Sequence, residues 1–195
     1  MQVKMELTGE EIQAVLRQSL SAFIERSFME LNPETRYVPA DHIDVLATKL
    51  EQCRRGEIKR LIVNLPPRSL KSHSATVAFP AWLLGHNPAT QIICASYGQD
   101  LADKHARDCR TIMGNPFYRK LFPGTALSQS KSSVDEYATT RHGFRMSTSV
   151  GGVLTGRGAD FIILDDPQKP DEAMSDTKRK KREGMVRQLA PQPPE

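Results

Sequence analysis

Hydrophobic residues recur at helical spacing through the first third of the chain. Thr8 is followed three positions later by Glu11, which is the pattern of a capping box, and apolar residues then repeat at intervals of three and four up to about residue 31. A second helical pattern begins near Asp41 and closes at Gly56, a residue that favours helix ends. We therefore predict two amphipathic N-terminal helices separated by an irregular stretch.

Short apolar runs alternate with helical patterns through the middle of the chain. Residues 61–63 and 91–95 are typical of strands, and helical patterns follow each of them, over residues 71–84 and 99–113. This alternation predicts a parallel sheet joined by crossover helices. Residues 115–131 are interrupted by proline and glycine, and we predict a loop there.

The second half adds a predicted hairpin and a predicted buried strand. Residues 137–140 and 144–148 alternate between apolar and polar positions around a short turn. A glycine-rich segment, residues 151–158, precedes the wholly apolar run 161–164, which is typical of a strand buried in a parallel sheet. The predicted fold class is α/β, with a mainly parallel central sheet flanked by helices.

Length and composition allow one domain with a substantial core, because the chain has 195 residues. The net charge of +4 permits a nucleic-acid partner without requiring one. Cys53, Cys94 and Cys109 are scattered through apolar segments, which indicates buried thiols rather than disulfides or a metal site. The acidic N-terminal segment and the lack of a long apolar run predict no membrane contact and a cytoplasmic location.

The segment LPPRSLKS, residues 65–72, lies between a predicted strand and a predicted helix. A phosphate-binding loop in this position needs backbone N–H groups around an anion, a lysine for the outer phosphates and a hydroxyl for Mg²⁺. Lys71 and Ser72 supply the last two groups. A simple tight turn without a ligand is the alternative interpretation.

The usual glycines of such a loop are replaced by Leu65 and Leu70. Prolines at positions 66 and 67 have no N–H, so the anion cradle would need the five amides that follow them, those of Arg68, Ser69, Leu70, Lys71 and Ser72. A left-handed backbone at Leu70 would cost roughly 1–2 kcal/mol, and we therefore expect an ordinary φ at this residue.

Two carboxylates, Asp165 and Asp166, follow the apolar run 161–164 directly. Ligands in an open parallel sheet bind beyond the carboxyl ends of the strands, so we expect Asp165 to lie near Lys71. Asp165 would then hold Mg²⁺, and Asp166 would orient and deprotonate an attacking water. Taken alone, a strand ending in Asp-Asp-Pro is usually only a turn.

Phosphoryl transfer also requires a cation on the developing charge, and two arginines are candidates. Arg68 lies within the predicted phosphate loop. Arg157 lies in the glycine-rich segment, where an exposed side chain could reach a neighbouring subunit. A solvated loop arginine is the alternative interpretation of Arg157.

Three blocks together resemble one known family: LPPRSLKS at residues 65–72, IICASYGQDL at 92–101 and LTGRGADFIILDDP at 154–167. They resemble, in the same order, the ATPase domain of tailed-bacteriophage terminase large subunits, the motors that thread DNA into a procapsid. The resemblance covers about residues 20–182. It implies an additional-strand P-loop NTPase fold.

By the same resemblance, Lys71 and Ser72 would bind the phosphates and Mg²⁺ of ATP, and Asp165 would serve the metal. Asp166 stands where the family usually carries an acidic catalytic base, often a glutamate. Arg157 matches the region from which such motors present an arginine to the next subunit of a ring. The implied partners are double-stranded DNA, a terminase small subunit and the portal of a procapsid.

The resemblance ends near the C-terminus, where family members continue into a nuclease domain. The basic run at residues 178–182 is a candidate DNA contact or simply a solvated helix face. We predict a helical lead-in over residues 1–33, an incomplete ATPase domain over 34–183 and an irregular tail over 184–195, which we hypothesise to be a frameshift product. A catalytically inactive remnant and a helicase-like, nucleic-acid-stimulated ATPase are the alternatives.

Overall fold

Three helices form the N-terminal part of the protein in the computed structural model, which describes residues 8–150 and 158–167. They are α1 (Gly9–Gln18), α2 (Leu20–Leu31) and α3 (Asp41–Arg54). The predicted capping box between Thr8 and Glu11 is present. The single helix predicted up to residue 31 is instead two, because Ser19 adopts an extended backbone and its hydroxyl caps α2.

The segment after the phosphate-loop motif is helical, as predicted. It turns into a π-helix over His73–Ala78 and continues as α4 (Phe79–His86). The side chains of α4 are buried almost all round, so this helix forms the centre of the core. Strand β1 (Gln91–Ser96) and helix α5 (Gln99–Gly114) follow, which confirms both predictions.

The region predicted to be a loop, residues 115–131, contains regular structure. It holds helix α6 (Pro116–Leu121) and most of strand β2 (Leu127–Ser132). The side chain of Asn115 caps α6 and proline occupies its first turn, which is a common way to begin a helix. The loop prediction was wrong because proline was taken as an interruption and not as a helix start.

The remaining strands are β3 (Glu136–Thr139), β4 (Phe144–Ser149) and β5 (Phe161–Asp165), and the hairpin prediction for β3 and β4 is confirmed. The sheet order is β2-β3-β4-β1-β5. Strand β1 is parallel to β4 and to β5, whereas β3 is antiparallel to both of its neighbours. The protein is therefore α/β with a mixed five-stranded sheet flanked by helices, and the sheet is less parallel than predicted because tight turns join β2, β3 and β4.

The apolar run at residues 61–63 is not a strand, which corrects the prediction. Its side chains alternate as in a strand: Leu61 and Val63 pack against the core, while Ile62 is 88% exposed. Within the described part of the chain, no backbone group accepts or donates a hydrogen bond along residues 59–66. The segment is thus extended but has no strand beside it to complete a ladder.

Strand β5 is paired on one side only, with β1, in the described ranges 8–150 and 158–167. Its four apolar side chains are therefore half-buried, and the full burial predicted for residues 161–164 is wrong. A groove of about 770 Å³ lies between β5 and the extended segment around Ile62. None of the described helices is both long and apolar enough to cross a membrane.

Candidate functional site

Lys71 and the two carboxylates after β5 meet at one end of the sheet. The Nζ of Lys71 donates a hydrogen bond to Oδ1 of Asp166 and lies 3.6 Å from Oδ1 of Asp165. The backbone N–H of Tyr97, just beyond β1, donates to the carbonyl of Asp166 and fixes its position. The structure therefore brings together the lysine and the aspartates, as their places beyond the parallel strands predicted.

Backbone strain is concentrated at the same place. Arg68, Leu70 and Asp166 have φ values of 63°, 58° and 43°, in the left-handed region that non-glycine residues rarely occupy. The ordinary φ expected at Leu70 is wrong. The cost, roughly 1–2 kcal/mol at such a residue, is offset by local contacts: Leu70 packs against the core, and the ring Nε2 of His42 lies 3.1 Å from the carbonyl of Ser69.

The loop leaves its backbone donors free. Among the described residues, no backbone carbonyl or side chain accepts a hydrogen bond from the N–H groups of residues 68–72. The last two of these amides, those of Lys71 and Ser72, open the helical segment, so the positive end of a helix dipole lies at the same point. The arrangement provides the donors that the sequence predicted for an anion cradle.

A cavity of about 630 Å³ opens against this loop. It is lined by the loop residues and Asp166, and also by Phe28, Asn32 and, from α5, Lys104 and His105. Tyr37 packs against Phe28 with ring centroids 5.6 Å apart, so this aromatic residue supports the rim. Ser69, Leu70 and Ser72 all border the cavity, as does the exposed side chain of Arg68.

Asp165 is the buried member of the carboxylate pair, at 4% exposure. Its Oδ1 faces Lys71, and its Oδ2 is buried with no hydrogen-bond partner. The Nδ1 of His105, also buried and unpartnered, lies 3.9 Å from that oxygen. The sequence pattern gives no signal for this contact: His105 lies on the apolar side of α5, where a histidine is most simply a packed residue.

Electrostatic interactions set the charge of the two basic groups beside the aspartates. Burial acts to lower the pKa of Lys71, but the hydrogen bond that Lys71 donates to Asp166 and the charges of both aspartates outweigh it, and the pKa of Lys71 is raised. Burial lowers the pKa of the His105 imidazole, against the attraction of Asp165. At neutral pH the site therefore contains a cationic lysine and a neutral histidine.

Few protein groups are available for a metal ion. In residues 8–150 and 158–167, no cluster of three or more His, Cys, Asp or Glu side chains could hold one. A Mg²⁺ ion is usually held by one or two carboxylates and completed by water and phosphate oxygens. The carboxylate of buried Asp165 and the hydroxyl of Ser72 are of the right chemical type.

Three sequence features fall outside the described residues. They are Arg157, the basic run 178–182 and the tail 184–195. The arginine finger, the DNA contact and the frameshift therefore stay predictions.

Comparison with known proteins does not assign the chain to a family. No family model matches it, and no curated protein matches it. The resemblance to terminases therefore depends on the three sequence blocks themselves.

Proposed function

We propose that this chain is the ATP-hydrolysing motor domain of a phage terminase large subunit, which couples ATP hydrolysis to the packaging of double-stranded DNA. One observation carries the proposal. At one end of the sheet, Lys71 and the five unbonded loop amides lie beside the Asp165–Asp166 pair. Three adjacent strands of this sheet, β4, β1 and β5, are parallel. A polyphosphate bound to a divalent metal matches that combination of charges and donors.

Each group has a distinct task in this proposal. The amides of residues 68–72 and the ammonium of Lys71 would bind the phosphate oxygens. Ser72 with Asp165 would hold Mg²⁺, which would supply positive charge to the transferred phosphoryl group. Asp166, exposed at the edge of the cavity, orients the attacking water and accepts its proton. Arg68 borders the same cavity and supplies a positive charge from within the chain.

The remaining parts of the proposal come from the resemblance. Arg157 would reach the site of the next subunit in a homo-oligomeric ring, so that hydrolysis depends on assembly. Double-stranded DNA, a small subunit and a procapsid portal would be the partners of that ring. In this scheme Arg157→Ala lowers turnover only in assembled protein and leaves ATP binding to the monomer unchanged.

The first experiment measures ATP binding and phosphate release on the purified chain with Mg²⁺, beside Lys71→Ala and the control Lys49→Ala. Lys49 is an exposed lysine of α3 whose ammonium donates a hydrogen bond to Gln52 and does not line the cavity, so its loss should change nothing. We expect the wild type and the control to bind ATP and Lys71→Ala to lose binding. ATP binding by the Lys71 variant as tight as that of the wild type would overturn the assignment of the loop.

A second candidate is a remnant that binds nucleotide without turning it over. The observation in its favour is the extended segment around Ile62, which lines the same groove as β5 but, within residues 8–150 and 158–167, has no hydrogen-bonded neighbour. A sheet whose edge strand β5 is paired on one side only holds the carboxylates that follow it less firmly. Binding of ATP with Mg²⁺ but no phosphate release would favour this second function.

A further inference from the structure

Two buried polar atoms face each other beside the candidate site, and neither has a hydrogen-bond partner. They are Nδ1 of His105 and Oδ2 of Asp165, 3.9 Å apart. The residues are 6% and 4% exposed. Buried polar groups are nearly always satisfied, and each one left unpaired costs about 1–3 kcal/mol, so this pair requires an explanation.

The chemistry of the pair fixes the direction of a bond between them. A carboxylate oxygen can only accept a hydrogen bond, so Nδ1 must carry the proton and donate it. The gap exceeds a normal N–H···O distance by about 1 Å, which a small side-chain rotation or one bridging water closes. No side chain in the described ranges donates a hydrogen bond to this oxygen, whereas Oδ1 of the same carboxylate already faces Lys71.

We propose that His105 is a positioning residue for Asp165: its Nδ1–H holds Oδ2, which turns Oδ1 of the carboxylate toward Mg²⁺. This inference rests on the proposed function, in which Asp165 serves the metal. Carboxylate ligands of metals are typically oriented by such outer hydrogen bonds, and loss of the outer partner typically weakens metal affinity or activity by about 10- to 100-fold.

The charged residues near His105 make their hydrogen bonds elsewhere and not to Asp165. Lys104 and Asp108, which border the same cavity, pair with each other along α5 at 2.7 Å. Arg145 is fully buried and donates to the carbonyl of Thr76. His105 is thus the donor that reaches Asp165 from the helix side of the sheet.

Three substitutions separate positioning from packing. The amide nitrogen of asparagine stands as far from Cβ as Nδ1 of histidine does, whereas the glutamine nitrogen matches Nε2. We therefore compare His105→Asn, His105→Gln and the apolar His105→Leu. The measurement is the Mg²⁺ concentration that half-saturates binding of a fluorescent ATP analogue, with the melting temperature of each variant recorded beside it.

We expect His105→Leu and His105→Gln to need about 10- to 100-fold more Mg²⁺ and His105→Asn to stay within about threefold of the wild type. A packing role gives the opposite order, since a buried leucine is tolerated better than a buried amide. The inference is overturned if His105→Leu binds at the wild-type Mg²⁺ concentration or if His105→Asn is no better than leucine. Failure of the wild type itself to bind the analogue with Mg²⁺ overturns the proposed function instead.

Discussion

Lys71 and Asp166 are hydrogen-bonded across 95 positions of sequence, and the lysine also faces Asp165. Two carboxylates and one ammonium form a compact cluster with a net negative charge. In the proposed function, Asp165 would hold Mg²⁺ and the ammonium of Lys71 would turn to the phosphates. The lysine would then exchange its carboxylate partners for phosphate oxygens when the ligand binds.

Asp166→Asn should spare ATP binding and remove turnover. Asparagine keeps an oxygen that accepts from Lys71 and tolerates the left-handed backbone found at this position, so the loop geometry survives. It cannot accept the proton of an attacking water, and general-base catalysis is typically worth about 10²- to 10⁴-fold in rate. Phosphate release and ATP affinity measured on the same preparation check this, and an Asn variant that turns over normally would remove Asp166 from its role.

Substitutions at Arg68 test whether the left-handed backbone in the loop lowers the stability of the protein. Its side chain is exposed and its φ is 63°, a conformation that glycine adopts freely. Glycine relieves the left-handed backbone strain, a gain of about 1–2 kcal/mol, and its greater flexibility in the unfolded chain costs roughly 0.5–1 kcal/mol. Arg68→Gly should therefore be about 0.5–1 kcal/mol more stable than Arg68→Ala.

The alanine variant is the matched control, because both substitutions remove the same charge. Urea unfolding gives the stability difference, and phosphate release should fall in both variants alike. Equal stability of the two variants would show that the left-handed backbone at this position carries no cost.

Strong local signals predicted much of the fold. The capping box at Thr8, the periodic pattern of α3 and the strand–helix pair β1 and α5 were found where the pattern placed them. These signals depend only on neighbours in sequence. The approach of Lys71 to Asp165 was also predicted, although the segment before the Lys71 loop is extended and only Asp165 follows a strand.

The errors arose where distant contacts decide the structure. An apolar run becomes a strand only if another chain segment pairs with it, and residues 61–63 have none in the described part of the protein. Leu70 tolerates a left-handed backbone because the core and the loop hold it there, which no local propensity reports. The approach of His105 to Asp165 depends on how α5 packs on the sheet.

Substitution of Ile62 tests whether the extended segment at residues 61–63 has no partner strand. It is 88% exposed on an extended segment, so Ile62→Ser should change the free energy of unfolding by less than about 0.5 kcal/mol. It should also reduce aggregation, since exposed apolar side chains on unpaired extended segments promote association.

Val63→Ser is the matched control, because the adjacent side chain packs against the core and its loss should lower stability by about 1 kcal/mol or more. Light scattering during heating and urea unfolding measure the two effects. A large loss of stability in Ile62→Ser would mean that this side chain is covered in solution.

The buried thiol of Cys109 should make the protein less stable as the pH rises through the alkaline range. Burial raises the pKa of its thiol from 9.0 to about 11, against the attraction of Arg145. Between these values the unfolded chain releases the proton and the folded protein keeps it, so the unfolded state binds fewer protons and stability falls as pH rises. The fall is at most about 1.4 kcal/mol per pH unit for this thiol.

Urea unfolding under reducing conditions at pH 8, 9 and 10 measures this slope for the wild type and for Cys109→Ala. Cys94 is also buried with a raised pKa and keeps part of the slope in the variant. The half-buried Cys53 should be alkylated in the folded protein well before the two buried thiols. An unchanged slope in Cys109→Ala, or rapid alkylation of Cys109 at pH 8, would mean that the thiol is accessible to solvent and that α5 packs less tightly on the sheet than the structure describes.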